Sequence, residues 1–410
     1  MKKIISTVLA TCGLVLGLTY GPVAFSTAKK MDATRGRGAD QVDLLVKLKS
    51  GASLQSFQRE WTVAIDAPDA STEVLTNQWL RVQGPASALN AQISSLSSVA
   101  YVQPNYKMHS FGHPDLAQLK AKVEAKLNQQ AVAPMALLPD NPAIPATPVL
   151  TAGNDPLFDK QWGMKDANAP AAWAIHRGSP EMIVAVIDTG VDYTHEDLLP
   201  NLWRNPGETG SDAQGGDKST NGVDDDGNGF IDDVVGWDFA SKDNRPYDLA
   251  SQSPLDILNG VNPGHGTHCA GNVAARGNNG KGISGVAPEV KIMAMRFITE
   301  AGSGTTADAV LAIHYAVDNG AKVLSNSWGG EDDPNSTGEE NMAMREAIEY
   351  SEAKGALFVA AAGNGRNGRG YNMDNDPKPV VPAAYAYDSI VTVAAMNVNS
   401  GMGAFSNWGQ

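Results

Sequence analysis

Cysteine is almost absent from this 410-residue chain. Of the two cysteines, Cys12 lies in an N-terminal apolar stretch and Cys269 in mid-chain, so no internal disulfide is expected once the N-terminus is removed. Stability outside a cell must then come from packing or bound metal. Positive charge is scarce as well: 31 lysines and arginines face 45 acidic residues, a net charge of -14. That balance argues against nucleic acid and anionic membrane as partners. Long apolar runs are missing too. The run Ile4 to Leu18 is broken by Ser6, Thr7, Thr11 and Cys12, and is shorter than the roughly 20 residues that span a bilayer. With Lys2 and Lys3 before it and Ala24, Ser26 and Ala28 after it, it reads as an export signal over residues 1–28. The expected location is therefore extracellular, periplasmic or at the cell surface, with no stable membrane insertion after the signal is removed.

Apolar residues make up 42% of the chain and charged ones 19%, enough apolar content to exclude a disordered composition. Residues 29–107 hold a small α+β unit, whose pattern is clearest over 41–106. "VDLLVKLK" is strand-like, "SLQSFQREW" has helical spacing, "EVLTNQWLRVQG" is a second extended run, "ASALNAQISSL" a second amphipathic helix, and "VAYVQPNY" closes the unit. Residues 108–153 are rich in proline and alanine and read as an extended linker, with a short helix expected in "KAKVEAKLNQQ". From residue 154 to 410, apolar strands alternate with amphipathic helices. The strands are "MIVAVIDTG", "VKIMAMRFI", "AKVLSNSWGG", "ALFVAAAGNG" and "SIVTVAAMN". The helices "TADAVLAIHYAVDNG" and "NMAMREAIEYSEAKG" end at Gly320 and Gly355, as helix C-termini prefer. That alternation predicts an α/β fold, a doubly wound parallel sheet covered on both faces.

Sites in such sheets form beyond the carboxyl ends of the strands. Asp188 stands there, at the end of "VAVID", where an acid either orients a base or simply caps a turn. "NPGHGTHCAG" (Asn262–Gly271) offers three chemistries. Zinc between His265 and His268 is disfavoured, because no acid stands between them and no third ligand follows. A Cys269 nucleophile needs an exposed, low-pKa thiol, and Cys269 lies among small residues. What remains is His265 as a general base, with Asp188 behind it.

"NGVDDDGNGFIDD" places Asp224, Asp226, Asn228 and Asp233 within ten residues, with Gly229 in sixth place as in the start of an EF-hand loop. The twelfth position is Val235 rather than glutamate, so Asp233 is the candidate closing ligand. An Asx-rich turn is the alternative, and structural calcium is the expectation.

Together, "AVIDTGVDYTHEDL", "GHGTHCAG", "LSNSWGG" and "FVAAAGNG" resemble, in the right order, four motifs of the subtilisin-like serine proteases. The likeness covers residues 154–410, and Cys269 is similar to the cysteine of the family's thiol-containing members. Residues 29–107 resemble the ferredoxin-like inhibitory propeptide that accompanies many of these enzymes. The resemblance implies protein and peptide substrates, a propeptide acting as inhibitor and folding aid, and a monomer. It makes His265 the general base, Asp188 its orienting acid and Asn364 the oxyanion donor. It also implies that Ser303, Gly304, Ser327, Trp328 and Gly329 flank an extended substrate, and that Ala361 and Gly363 line the pocket before the cut. Asp155, Asp197 and Asn279 match positions that hold a further calcium. One part of the pattern is missing: no "GTSMA"-like serine turn occurs in the 410 residues. The peptidase domain is therefore expected to be C-terminally truncated, with its nucleophile beyond Gln410. An inactive, calcium-binding peptide scaffold is the competing reading.

Overall fold

The computed structural model describes residues 41–111 and 154–409, apart from 66, 68, 90, 91, 251–261 and 331–340. The stretch expected to be an export signal and most of the expected linker, including its helix, lie outside the described residues. No helix among the described residues is long and apolar enough to cross a membrane.

Six strands form one parallel sheet: β6 (Ile183–Asp188), β7 (Gly236–Asp238), β8 (Lys291–Arg296), β10 (Val323–Asn326), β12 (Leu357–Ala361) and β13 (Ile390–Val393). Their spatial order is β13-β12-β10-β6-β8-β7, and every neighbouring pair is parallel. Strand periodicity explains the layering. Val184 and Val186 point to one face, with Ile292 and Ala294, and pack on Ala270 and Ala274 of helix α2 (His265–Ala274). Ala185, Ile187, Met293 and Met295 point to the other. They pack beneath helices α3 (Thr306–Asp318) and α4 (Met342–Ala353). Both faces are thus covered, as in a doubly wound α/β fold. Gly320 and Gly355 close α3 and α4 at φ +90° and +74°, the left-handed backbone expected of glycine there. The short strand β7 carries no apolar run and was not expected.

The N-terminal unit is a four-stranded antiparallel sheet, order β2-β3-β1-β4, built from β1 (Gln41–Leu48), β2 (Ser71–Val74), β3 (Trp79–Pro85) and β4 (Val99–Pro104). Helix α1 (Leu54–Ala64) starts at Ser53, whose side chain accepts from the Ser56 amide in a capping box. Two expectations need correction. "EVLTNQWLRVQG" is a hairpin, not one strand, because Thr76 Oγ1 accepts from the Gln78 and Trp79 amides and turns the chain. "ASALNAQISSL" yields only a helical turn at Ala86–Leu89 and a 3-10 turn at Ile93–Ser95 among its described residues.

A third sheet joins the two units. Strand β5 (Lys107–Ser110) lies antiparallel between β9 (Ser303–Thr305) and β11 (Trp328–Gly329). This strand crosses the boundary drawn between residues 107 and 108, so the linker's first residues are ordered chain.

Candidate active site

Asp188 ends β6 and is fully buried. Its Oδ1 accepts from the Thr189 amide at 2.7 Å and faces His265 Nδ1 at 2.7 Å. His265 is the first residue of α2, so one strand end and one helix start define the pair. Helix starts leave amides unpaired, and here side chains satisfy them. Asn262 Oδ1 accepts from the Gly264 and His265 amides, Thr189 Oγ1 from Gly266, and Asp248 Oδ2 from Thr267. Asp248 also accepts from the hydroxyls of Thr189 and Thr267 and from the Asn262 amide group. It is 59 residues from Thr189 and fixes both halves of the site; no local sequence pattern marks it. Gly266 lets the two elements meet: a Cβ there would stand 2.1 Å from the Gly190 carbonyl oxygen.

Burial penalises an imidazolium at His265, but the adjacent Asp188 carboxylate more than offsets this and raises its pKa above the ordinary histidine value. That is the direction needed to stabilise the cation formed when a base takes a proton. Cys269 Sγ lies 4.0 Å from Nδ1, the ring nitrogen Asp188 already engages, so the thiol does not face the opposite nitrogen. His268 is exposed and belongs to no cluster of three metal-ligating side chains among the described residues. No serine hydroxyl among the described residues is hydrogen-bonded to His265.

Parallel topology brings the remaining candidates to the same sheet edge. Ala361 ends β12 and Asn364 follows it, half-buried, after Gly363 turns the chain at φ +93°. Ser303 and Gly304 lie in β9, while Ser327 precedes Trp328 and Gly329 of β11. The groove between β9 and β11 holds β5, paired His109↔Ser303 and Met108↔Gly304 on one side and Ser110↔Trp328 on the other. The ladder runs one residue further: the Ser110 amide donates to Gly302 O at 3.2 Å and the Phe111 amide to Ser327 O at 3.1 Å. Sequence reasoning missed this occupant, since residues 107–111 carry no distinctive pattern.

Both acidic clusters are assembled. Asp155 accepts from the Asn278 and Asn279 amides, and Asp197 Oδ1 accepts from Asn279 Nδ2 at 2.7 Å, so Asp155 and Asp197, from two other segments, both meet the loop that carries Asn279. In the other, Asp224 receives the Gly227, Asn228 and Gly229 amides, which folds the loop around its carboxylate. Asp224 and Asp226 converge with Glu208, a residue outside the motif, with ligand atoms within 4.8 Å of one another. Glu208 is fully buried, and its Oε2 has no hydrogen-bond partner. Burial, with the Asp233 and Asp226 charges beside it, pushes its pKa up to about 7. A buried carboxylate oxygen aimed at two more carboxylates fits a hard divalent cation. Asp233 is otherwise engaged: it accepts from Asn205, Asn228 and the Tyr315 hydroxyl on α3. It ties the loop to the core, and Glu208 is the carboxylate grouped with Asp224 and Asp226.

Comparison with known proteins adds four findings. The family model described as the subtilase family (Peptidase_S8) matches residues 179–410. Thermitase of Thermoactinomyces vulgaris is 35% identical over 257 residues, 62% of this chain and 70% of thermitase. The thermophilic serine proteinase of Bacillus sp. (strain AK1) is 34% identical over 249 residues, 61% of this chain but only 47% of that protein. The structure of fervidolysin from Fervidobacterium pennivorans, a keratinolytic enzyme related to subtilisin, matches with a TM-score of 0.53. At 22% identity, over 88% of this chain and 44% of that one, the likeness speaks for the fold.

Proposed function

We propose, from the premise that this chain belongs to the subtilase family, that it is the precursor of a secreted serine endopeptidase. The observation that carries the reading is the buried 2.7 Å contact of Asp188 with His265, at the edge of a groove already lined by an extended peptide. Asp188 holds the imidazole in one tautomer, and His265 takes the proton of an attacking serine and returns it to the leaving amine. None of the 410 residues stands in the family's serine motif, so the serine is proposed to lie beyond Gln410. Asn364 donates to the oxyanion, an interaction worth about 10²–10³ in turnover in a subtilisin. Substrate main chain adds as a strand between β9 and β11, a mode that reads backbone.

Residues 41–111 are proposed as the inhibitory unit, because their last strand fills that groove. The same unit seats itself on two helix starts. Asn105 Oδ1 accepts from the Ala307 amide of α3, and Gln103 Oε1 from the Ala343 amide of α4. Calcium is proposed at Glu208, Asp224 and Asp226 with Asn228 beside them, and at Asp155, Asp197 and Asn279. When bound it neutralises clustered carboxylates and stiffens the loops; it takes no part in peptide cleavage.

The test is the complete reading frame, sequenced past the codon for Gln410, expressed and assayed on casein. A serine turn and hydrolysis are expected, with His265→Ala lowering turnover by at least about 10²–10⁴-fold and stopping self-processing. Unchanged hydrolysis in that variant would remove His265 as the base. A complete protein that binds peptides and cuts none would be the calcium-binding scaffold instead.

A further inference from the structure

The endopeptidase reading names a base and its orienting acid, but not what holds the two together. We propose that Asp248 is a positioning residue for the reaction. It fixes the helix start that carries His265 against the strand end that carries Asp188, so its loss lowers turnover and leaves substrate affinity alone. This rests on the endopeptidase reading of the same site.

Asp248 is buried at 3% exposure, and both of its carboxylate oxygens are filled. Oδ1 accepts from the Thr189 hydroxyl at 3.0 Å and from the Asn262 side-chain amide. Oδ2 accepts from the Thr267 amide at 2.9 Å and from the Thr267 hydroxyl at 2.6 Å. All four partners donate, so the group is held as a carboxylate. Burial pushes its pKa up, and these same donors oppose the rise.

What Asp248 sets is the direction of its partners' protons. A hydroxyl has one proton to give. Thr189 gives its proton to Asp248, which leaves its lone pairs for the Gly266 amide at 2.8 Å. Thr267 does the same and accepts from the Asp192 amide at 2.9 Å. Asn262 turns its NH2 to Asp248 and therefore its Oδ1 to the Gly264 and His265 amides, each at 2.9 Å. The amides of Gly264, His265, Gly266 and Thr267 would otherwise be unpaired at a helix start. Asp248 holds the last directly and the other three through one intermediary. Thr189 also follows Asp188 in the chain and donates its own amide to Asp188 Oδ1. One carboxylate thus governs both sides of the 2.7 Å contact.

An asparagine at 248 would have the same shape and one acceptor fewer. With its oxygen toward Thr267, its NH2 would meet the Thr189 hydroxyl and the Asn262 NH2, donor against donor. Asn262 would then turn and release Gly264 and His265, or Thr189 would turn and release Gly266. With its NH2 toward Thr267, it would face a backbone N–H that cannot turn at all. Every arrangement frees the start of α2, and a displacement of about 1 Å at a reacting group costs about 10²-fold in rate. No residue of β9 or β11 takes part in this network, so the pairing of substrate main chain is untouched.

The experiment has one readout that needs no hydrolysis. Proton NMR of the 410-residue chain should show a low-field resonance for the proton between His265 Nδ1 and Asp188. Asp248→Asn should abolish it. Thr189→Val, which removes only the relaying hydroxyl, should do the same, and Thr189→Ser should keep it. In the protein expressed from its complete reading frame, Asp248→Asn should lower kcat for a chromogenic peptide by about 10–100-fold and leave KM within about twofold. Ile313→Val, a conservative change in the core on α3, is the stability control and should move neither readout. A folded Asp248→Asn variant with a native resonance, or with native kcat and only a lower melting temperature, would overturn the proposal and leave the endopeptidase reading standing. If Asp248→Asn does not fold, a native resonance in Thr189→Val would overturn it in the same way. Loss of the resonance in the variants, in a complete protein that hydrolyses nothing, would keep the positioning role and remove the endopeptidase reading.

Discussion

The six-stranded parallel sheet covers both faces with helices of its own unit, whereas the four-stranded antiparallel sheet covers only one. On that sheet's inner face Leu44, Val46, Leu48, Leu80 and Val82 pack with Phe57 of α1. On the opposite face Leu45 and Trp79 are just as buried, but they belong to the large unit's core, with Met344 and Ile348 of α4. Trp79 Nε1 also donates to Glu346 Oε2 at 2.8 Å, and Lys47 pairs with the same carboxylate. The small unit is therefore finished by the large one. The large unit takes in return Asn105 and Gln103 at the starts of α3 and α4 and, in its groove, a strand that a substrate could replace. The unit proposed as inhibitory thus has a second face that is completed only when it is docked.

The largest effect should come from breaking that borrowed face. Trp79→Ala removes an indole buried between the units, and truncations of this kind cost about 3–5 kcal/mol. Calorimetry of the intact chain should then resolve two transitions, the small unit melting first. Val82→Ala, inside the small unit's own core, should lower that unit's stability without separating docking from folding. If Trp79→Ala leaves one transition at the original temperature, the face is not shared in the way described.

A smaller effect should fall on the large unit alone. Removing calcium with a strong chelator should lower its melting temperature, since a site loaded at a hundredfold excess over Kd contributes about 2.7 kcal/mol. For a unit of this size that is roughly 5–10 °C. Glu208→Gln should reproduce most of the loss and blunt the response to added calcium. The small unit holds neither acidic cluster, so its own melting should be indifferent. An unmoved transition in the large unit would remove metal from both clusters.

The two sheets also differ in how much of them the sequence discloses. Strand β6 ends at Asp188 where the apolar run "IVAVID" stops, and α3 and α4 close near Gly320 and Gly355. These are local signals, and local physics decides them. The hairpin β2–β3 was hidden because its turn, Thr76 to Gln78, lacks glycine and proline. Trp79 and Leu80 are consecutive and both buried, so no alternation marks the strand start. His265 and Asp188 were legible as a candidate pair because their residue types and order are distinctive, and the fold brings them to 2.7 Å. Asp248 and Glu208 were not, since each acts across a gap in sequence that only the fold closes. Strand β5 was read as linker for a similar reason. Four residues become a strand only because β9 and β11 lie on either side.

The subtlest test lies where the units meet. Asp308 on α3 is buried at 8% exposure. Its carboxylate accepts from Thr305 Oγ1 at 2.6 Å and stands 3.7 Å from Arg81 of β3, with Asp43 and Glu73 also around that guanidinium. Burial raises its pKa to about 6, and Arg81 only partly counters this. A carboxyl whose folded pKa exceeds its unfolded value binds its proton more tightly in the folded chain. Its contribution is therefore fully present below about pH 4 and is lost as pH rises to about 6. Asp308→Asn has no proton to lose. The stability of the native chain minus that of Asp308→Asn should fall by on the order of 2 kcal/mol between pH 4 and 7. Because Arg81 belongs to the small unit, loosening the docking with Trp79→Ala both removes its charge and lets water reach the carboxyl; burial is the larger influence, so the fall should flatten in the double variant. A difference curve that is flat over this range, or unaltered in the double variant, would mean that Asp308 does not sense the docked sheet.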